Sequence, residues 1–286
     1  MIFMHEDGQL MPLLPVFLQD VTIITAPVPT VLDGASSRGV LWQAAPGRFL
    51  LDLPDVARYL VEYGKLITID PAAGSSSDAV TRFGRTTPLA ALLYQRGILA
   101  FHAAVVTNGT GALLLAGDSG SGKSSLLMAL EQRGWIPVSD ELAVVALNDK
   151  GAFQVYPTFP ESALWPETLQ NFGRESELFH HTDSYSRLNV PFKQHCTLPQ
   201  LLRSIYWLGI QNKNEITRSK LSGLDLFRGT GMMLYNSHVA SALLDRAGYM
   251  SYVATLIKTV SVTRLFRPRG SWSVESLADL IEKDMA

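Results

Sequence analysis

The 286-residue chain is 47% hydrophobic and 17% charged, the balance of a chain that buries a core and not of a disordered one. Its 24 basic and 26 acidic residues leave a formal net charge of -2, which removes any global electrostatic pull toward nucleic acid or an anionic membrane. A single cysteine, Cys196, excludes an intramolecular disulfide and a Cys-x-x-Cys site, and is expected to be a buried structural thiol in a reducing compartment.

The first eighteen residues are rather apolar, but no lysine or arginine precedes Arg38, and Pro12 and Pro15 interrupt the run, unlike a secretory signal with its basic start. No stretch of eighteen consecutive apolar residues occurs; even Ala240 to Val262 is broken by Asp245, Arg246 and Lys258. A soluble, cytoplasmic protein is expected. Residues 1–74 show short apolar runs, VTIIT, VLW and RFLLDL, separated by the turn-formers APVPT, LDGASS and APG, which is the pattern of a small β-rich unit. Within it Asp55 to Tyr63 reads as a short helix and KLITID as a strand, and PAAGSSS closes the unit. Ser77 can cap a helix that runs through DAVTRFGRTTPLAALLYQR to Gly97, with a kink or restart at Thr87–Pro88 because proline lacks a backbone donor. ILAFHAAVV is a strand with His102 near its middle, TNGTG a turn, and ALLLAG a strand buried on both faces.

Directly after ALLLAG comes GDSGSGKSS, in which Gly117, Gly122, Lys123 and Ser124 satisfy G-x-x-x-x-G-K-[ST] between a strand and a helix. Such a loop turns its backbone N–H groups onto phosphate oxygens, so Gly117, Asp118, Ser119, Gly120, Ser121, Gly122, Lys123, Ser124 and Ser125 are the candidate nucleotide-binding residues. Lys123 can reach the β and γ phosphates and the Ser124 hydroxyl can ligate Mg²⁺. The helix Ser125 to Arg133 places Leu126, Leu127 and Leu130 on one face and is capped by Gly134. It returns the chain to WIPV, read as a parallel strand next to ALLLAG. Asp140 and Glu141 then emerge at a carboxyl strand end, the edge where ligands of open α/β sheets sit. A carboxylate there can hold Mg²⁺, directly or through water, or take the proton of an attacking hydroxyl; the plainer reading of SDE is a solvated turn or helix cap.

Farther on, Phe153 to Val190 is rich in Pro, Ser and His with weak periodicity, so long loops are expected. LLRSIYWLGI reads as a strand, MMLYNSHVASALLDRAG and YMSYVATLIKT as helices, VSVTRLF as a strand and SVESLADLIEKD as a helix.

FHAAVV, GDSGSGKSS and RGWIPVSDE together resemble the core of HPr kinase/phosphorylase and its relatives, continuously from about Gln95 to Glu141. YPTFPESALWPETL, SRLNVPF and LLRSIYWLG look like the short kinases found beside lasso-peptide biosynthesis genes, which phosphorylate a precursor peptide on a terminal serine. The resemblance implies an α/β P-loop kinase core of the HPr kinase/phosphoenolpyruvate carboxykinase type over residues 75–286, behind the β-rich unit of residues 1–74. It implies ATP and Mg²⁺ as cofactors, a serine-bearing peptide or small protein as partner, and a homo-oligomer. Asp140 matches the catalytic base, Glu141 the next acidic position near the metal, His102 a histidine close to the transferred phosphate, and Arg187 a basic residue that steadies phosphate charge. Ser125 stands where the regulatory enzymes carry Glu, and their glycine-rich signature after the acidic pair and their N-terminal domain are both missing. These departures argue against HPr as the acceptor and against phosphorylase activity.

Each of these residues also has a plain reading. His102 can be a core histidine and Arg187 a solvated loop residue. His180, His181 and Asp183 lack metal-ligand spacing and read as a polar loop. Arg264, Arg267 and Arg269 read as a solvated strand end, and Trp165, Tyr206 and Trp207 as packing residues. The rivals to a peptide kinase are a small-molecule kinase, a nucleotide scaffold without catalysis, and a GTP-dependent switch. The last is suggested by IQNKNEIT, although Glu215 replaces the aspartate of N-K-x-D. The β-rich unit is expected to recruit the substrate.

Overall fold

The computed structural model describes residues 18–174 and 187–285. The chain divides into two compact units, one of Met1–Ala100 with Leu234–Tyr252, the other of Phe101–Met233 with Val253–Ala286.

The first unit is built on a six-stranded sheet of β1 (Thr22–Thr25), β2 (Ser37–Arg38), β3 (Trp42–Ala45), β4 (Arg48–Leu53), β5 (Ala57–Glu62) and β6 (Leu66–Pro71), in the order β1-β6-β5-β4-β3-β2. The stretch expected to be a helix from Asp55 to Tyr63 is strand β5. Its burial alternates, with Ala57, Tyr59 and Val61 inward, and it pairs antiparallel with both β4 and β6. Left-handed turns at Asp55 and Tyr63 bound it and set that register. Two helices follow, α1 (Ser77–Gly84) and α2 (Thr87–Gln95). The cap of α1 is Ser76, one residue earlier than expected, its side chain accepting a hydrogen bond from the Ala79 N–H. Pro88 restarts the helix in the first turn of α2, where its missing donor costs nothing.

The second unit carries the phosphate loop. Its strands are β7 (Leu99–Thr107), β8 (Ala112–Gly117), β9 (Ile136–Ser139), β10 (Leu142–Leu147), β11 (Phe153–Tyr156), β12 (Glu161–Leu164), β13 (Leu188–Pro191), β14 (Gln200–Gln211), β15 (Thr217–Lys220) and β16 (Ser261–Pro268). The main sheet runs β11-β10-β7-β8-β14-β16-β15, with β9 paired to β7 and with β12 and β13 forming a separate hairpin. All six residues of β8 are buried, as its unbroken apolar run requires.

WIPV does not lie beside β8. β9 pairs antiparallel with β7, which itself pairs antiparallel with β8. Two reversals restore the direction, so the ends of β9 and β8 still share one edge of the sheet. The region expected to be long loops holds β11, β12, the short helix α4 (Pro166–Asn171) and β13 among its described residues. Four-residue strands are too short to show a period. The expected helix MMLYNSHVASALLDRAG is interrupted at Asn236, whose φ is 47°, while strand β15 and the helix Gly223–Met232 were not anticipated. Cys196 is only partly buried, its Sγ donating to the Leu198 carbonyl at 3.3 Å, so it is no core thiol. The apolar start through residue 17 and the group His180, His181 and Asp183 lie outside the described residues.

Helix α3 (Lys123–Gln132) buries Leu126, Leu127 and Leu130 in a core shared with Leu113 and Leu115 of β8 and Tyr206 and Leu208 of β14. The C-terminal helix Val274–Met285 adds Val274, Leu277, Ala278 and Ile281, a stripe at 3, 4 and 7 residue spacing. At the end of α3, Arg133 is held by Glu275, Asp279 and Glu282 of that helix, at 2.6 to 2.9 Å. The helix bearing the phosphate loop is thus fixed on both its faces. Replacing Ile281, which is wholly buried, with alanine is expected to cost about 2–5 kcal/mol of unfolding free energy, read as a lower midpoint in urea denaturation.

Candidate active site

Strand β8 ends on Gly117, whose φ of 146° leaves no room for a side chain: a Cβ there would sit 2.4 Å from the Leu208 carbonyl oxygen. The loop can therefore start only from glycine at this point. Gly122 then enters helix α3 with φ 106°, so the first N–H groups of the helix stay open to a ligand. Lys123 is buried and its Nζ donates to the Gly117 carbonyl at 2.8 Å and the Asp118 carbonyl at 3.1 Å. Burial pulls its pKa down, while Asp140, Asp118 and Glu141 push it back up.

Asp140 is buried at the end of β9. The Glu141 N–H donates to its Oδ1 at 2.9 Å, and the Ser162 hydroxyl donates to its Oδ2. The Ser124 hydroxyl of the loop stands beside it and favours its ionised form. Burial raises the carboxyl's pKa; the hydrogen bonds from Ser162 and Glu141, the Ser124 hydroxyl and the charge of Lys123 work against that. Glu141 adopts φ 69°, a left-handed conformation uncommon for a residue with a side chain, which turns the chain sharply into β10. Burial, together with the positive charge of Lys123, brings the His102 pKa down to about 4, while the Glu141 backbone works the other way. His102 is therefore a neutral imidazole beside the acidic pair at physiological pH.

These groups face one cavity of about 250 Å³. Of the sequence-derived candidates, Ser119, Gly120, Gly122, Lys123, Ser124, Ser125, Asp140, Glu141, His102 and Arg187 line it. Gly117, Asp118 and Ser121 stand behind the lining; the first two supply the carbonyls that hold Lys123. The sequence reading missed several others. Arg267 lines the cavity, donating from Nε to the Ser121 carbonyl at 3.1 Å and from Nη2 to the Gly120 carbonyl at 3.2 Å, so it braces the loop and is no solvated strand end. Trp165, 47% exposed, also lines it and is not a packing residue. Tyr206 is buried, with its hydroxyl donating to Asp284, and Trp207 lies against Arg264. Ser162, Thr168 and Trp272 carried no sequence signal, because each sits in a stretch with no motif of its own.

The site fits a nucleotide's phosphates: Lys123, Arg187 and Arg267 bring positive charge to a cavity floored by open helix N–H groups. Within the loop the Ser121 hydroxyl is buried without a hydrogen-bond partner among the described residues. The site also fits Mg²⁺, since the Ser124 hydroxyl and the Asp140 carboxylate form an oxygen-only donor pair with Glu141 adjacent. No cluster of three or more His, Cys, Asp or Glu able to hold a metal by itself occurs among the described residues. No described helix is long and apolar enough to cross a membrane.

No protein-family model matches the chain, and no curated protein does. Among solved structures it is similar to the Hpr(Ser) kinase/phosphatase from Coxiella burnetii, with a TM-score of 0.34 and 12% identity over 64% of this chain and 91% of that one.

The lowered His102 pKa has a definite consequence for stability. An unfolded histidine takes up its proton near pH 6.5, whereas the folded one waits until about 4. The unfolded state therefore binds more protons across that window, and stability must fall as the pH is lowered through it, by up to about 3 kcal/mol from this group. His195, also lowered by burial, acts in the same direction. Denaturation midpoints measured from pH 7 to 4 are expected to fall less steeply for His102→Gln than for the native chain. Separately, Arg267→Ala is expected to weaken ADP binding roughly tenfold, the scale of a lost charge-assisted hydrogen bond, as measured by calorimetry.

Proposed function

We propose that the protein is an ATP-dependent phosphotransferase that moves the γ-phosphate to a serine hydroxyl of a peptide or small protein, a lasso-peptide precursor being the sharpest version of that acceptor. The reading rests on one observation above all: the Lys123 ammonium, the Ser124 hydroxyl and the Asp140 carboxylate line one cavity. The choice of a peptidic serine rests on the sequence resemblance alone.

The loop N–H groups and Lys123 hold the triphosphate, and Arg187 adds a second positive charge at the same wall. Asp140 orients the incoming hydroxyl and takes its proton as the new O–P bond forms and the bond to the β-phosphate oxygen breaks, releasing ADP. Burial makes Asp140 more basic than a solvated carboxylate, which suits it to that role. Bound Mg²⁺ would be held by Ser124 and Glu141 and would neutralise the charge that builds on the leaving phosphates. His102, neutral, stands beside the phosphate site without adding charge to it.

A guanine-dependent switch is less well supported. Asn212, Lys213 and Glu215 lie between β14 and β15, and none of them lines the cavity.

Incubation with γ-labelled ATP, Mg²⁺ and a serine-terminated precursor peptide is expected to label the peptide, but not its Ser→Ala form. Label appearing only as free phosphate would support the switch, and label on free serine the small-molecule kinase. Asp140→Asn is expected to lower transfer by about 10²–10⁴-fold while ADP affinity changes little; undiminished transfer would remove Asp140 from the base role.

A further inference from the structure

We infer that the indole of Trp272 is the platform on which the nucleobase stacks, so that the site reads the base by its flat face and discriminates adenine from guanine weakly. The inference rests on the proposed nucleotide binding and extends it to the nucleoside end, which the loop motif leaves unassigned.

The cavity, of about 250 Å³ and open to solvent, is smaller than the roughly 300–1,000 Å³ of pockets that take a whole drug-sized ligand. It suits the phosphates, and the nucleoside must then lie at the rim. Two tryptophans stand there, Trp165 and Trp272, 47% and 46% exposed. They come from different parts of the chain: Trp165 follows three residues after Ser162, which bonds Asp140, and Trp272 follows five residues after Arg267, which grips the carbonyls of Gly120 and Ser121. Trp272 is the one assigned to the base, because its segment continues from the residue that braces the phosphate loop.

The indole is also oriented in advance. Phe172 meets Trp272 edge to face, with centroids 5.5 Å apart and planes at 69°. Phe172 itself packs against two buried clusters, one holding Leu126 and Ile281, the other Met128 and Leu169. A ring fixed in this way loses little freedom when a base settles on it. Stacking tolerates any purine because every base offers a π face, and the one guanine-like turn, at Asn212 and Lys213, is not part of the cavity wall.

Calorimetry with ADP, GDP and inorganic tripolyphosphate on the native chain, Trp272→Ala, Trp272→Phe and Trp165→Ala tests this. ADP and GDP are expected to bind the native chain within about threefold of each other. Trp272→Ala is expected to weaken both by roughly tenfold or more, the scale of one lost stacked base, and to leave tripolyphosphate binding unchanged. Trp272→Phe should recover most of the loss, and Trp165→Ala should leave ADP binding near native. Undiminished ADP binding by Trp272→Ala overturns the inference while leaving the kinase reading standing. So does an equal loss of tripolyphosphate, which marks a structural role, or a loss that appears with Trp165→Ala instead. A native chain that binds neither ADP nor tripolyphosphate overturns the proposed function and this inference together.

Discussion

A buried carboxylate within the field of a buried ammonium is the constraint around which the second unit is arranged. Burying Asp140 is costly unless its oxygens are satisfied, and the Ser162 hydroxyl and the N–H of Glu141 donate to them, with the Ser124 hydroxyl beside them. Lys123 supplies the opposite charge. Lys123 and Ser124 bring the phosphate loop to the same cavity as the end of β9. What stabilises the ionised carboxylate therefore also sets the shape of the cavity.

Other features follow from that arrangement. Glu141 joins a left-handed backbone to an N–H that is committed to Asp140. The β12–β13 hairpin, which carries no motif, is needed because it delivers Ser162. It is anchored by Leu164, Leu188 and Val190 against Met128 of the loop's own helix. The acidic side and the cationic side of the cavity are in this way tied to one helix, and a shift of either would be felt by the other.

Positive charge is distributed around the loop and not concentrated at one point. Lys123 is folded onto the carbonyls of Gly117 and Asp118, Arg267 onto those of Gly120 and Ser121, and Arg187 adds its charge near both Lys123 and His102. Since phosphoryl transfer is governed mainly by placement and charge, such a ring of cations facing a single basic carboxylate is a chemically coherent site. Keeping His102 neutral lets it sit among those cations without further repulsion.

The phosphate loop, its flanking strand and helix, and the acidic pair at the same sheet edge were legible in the sequence because each depends on neighbours within a few residues. Glycines that must turn, a lysine and serine at a helix start and an unbroken apolar strand are local statements. The edge was read correctly even though β9 proved to adjoin β7 and not β8, since two antiparallel pairings leave the direction unchanged. Arg267, Ser162, Trp165 and Trp272 were not legible. Arg267 meets Ser121 across 146 positions of sequence because β16 lies two places from β8 in the sheet, and Ser162 meets Asp140 through a hairpin outside that sheet. An isolated arginine, serine or tryptophan has no pattern of its own. Only strand order and close packing decide which of them face a shared cavity, and that is a property of the folded chain.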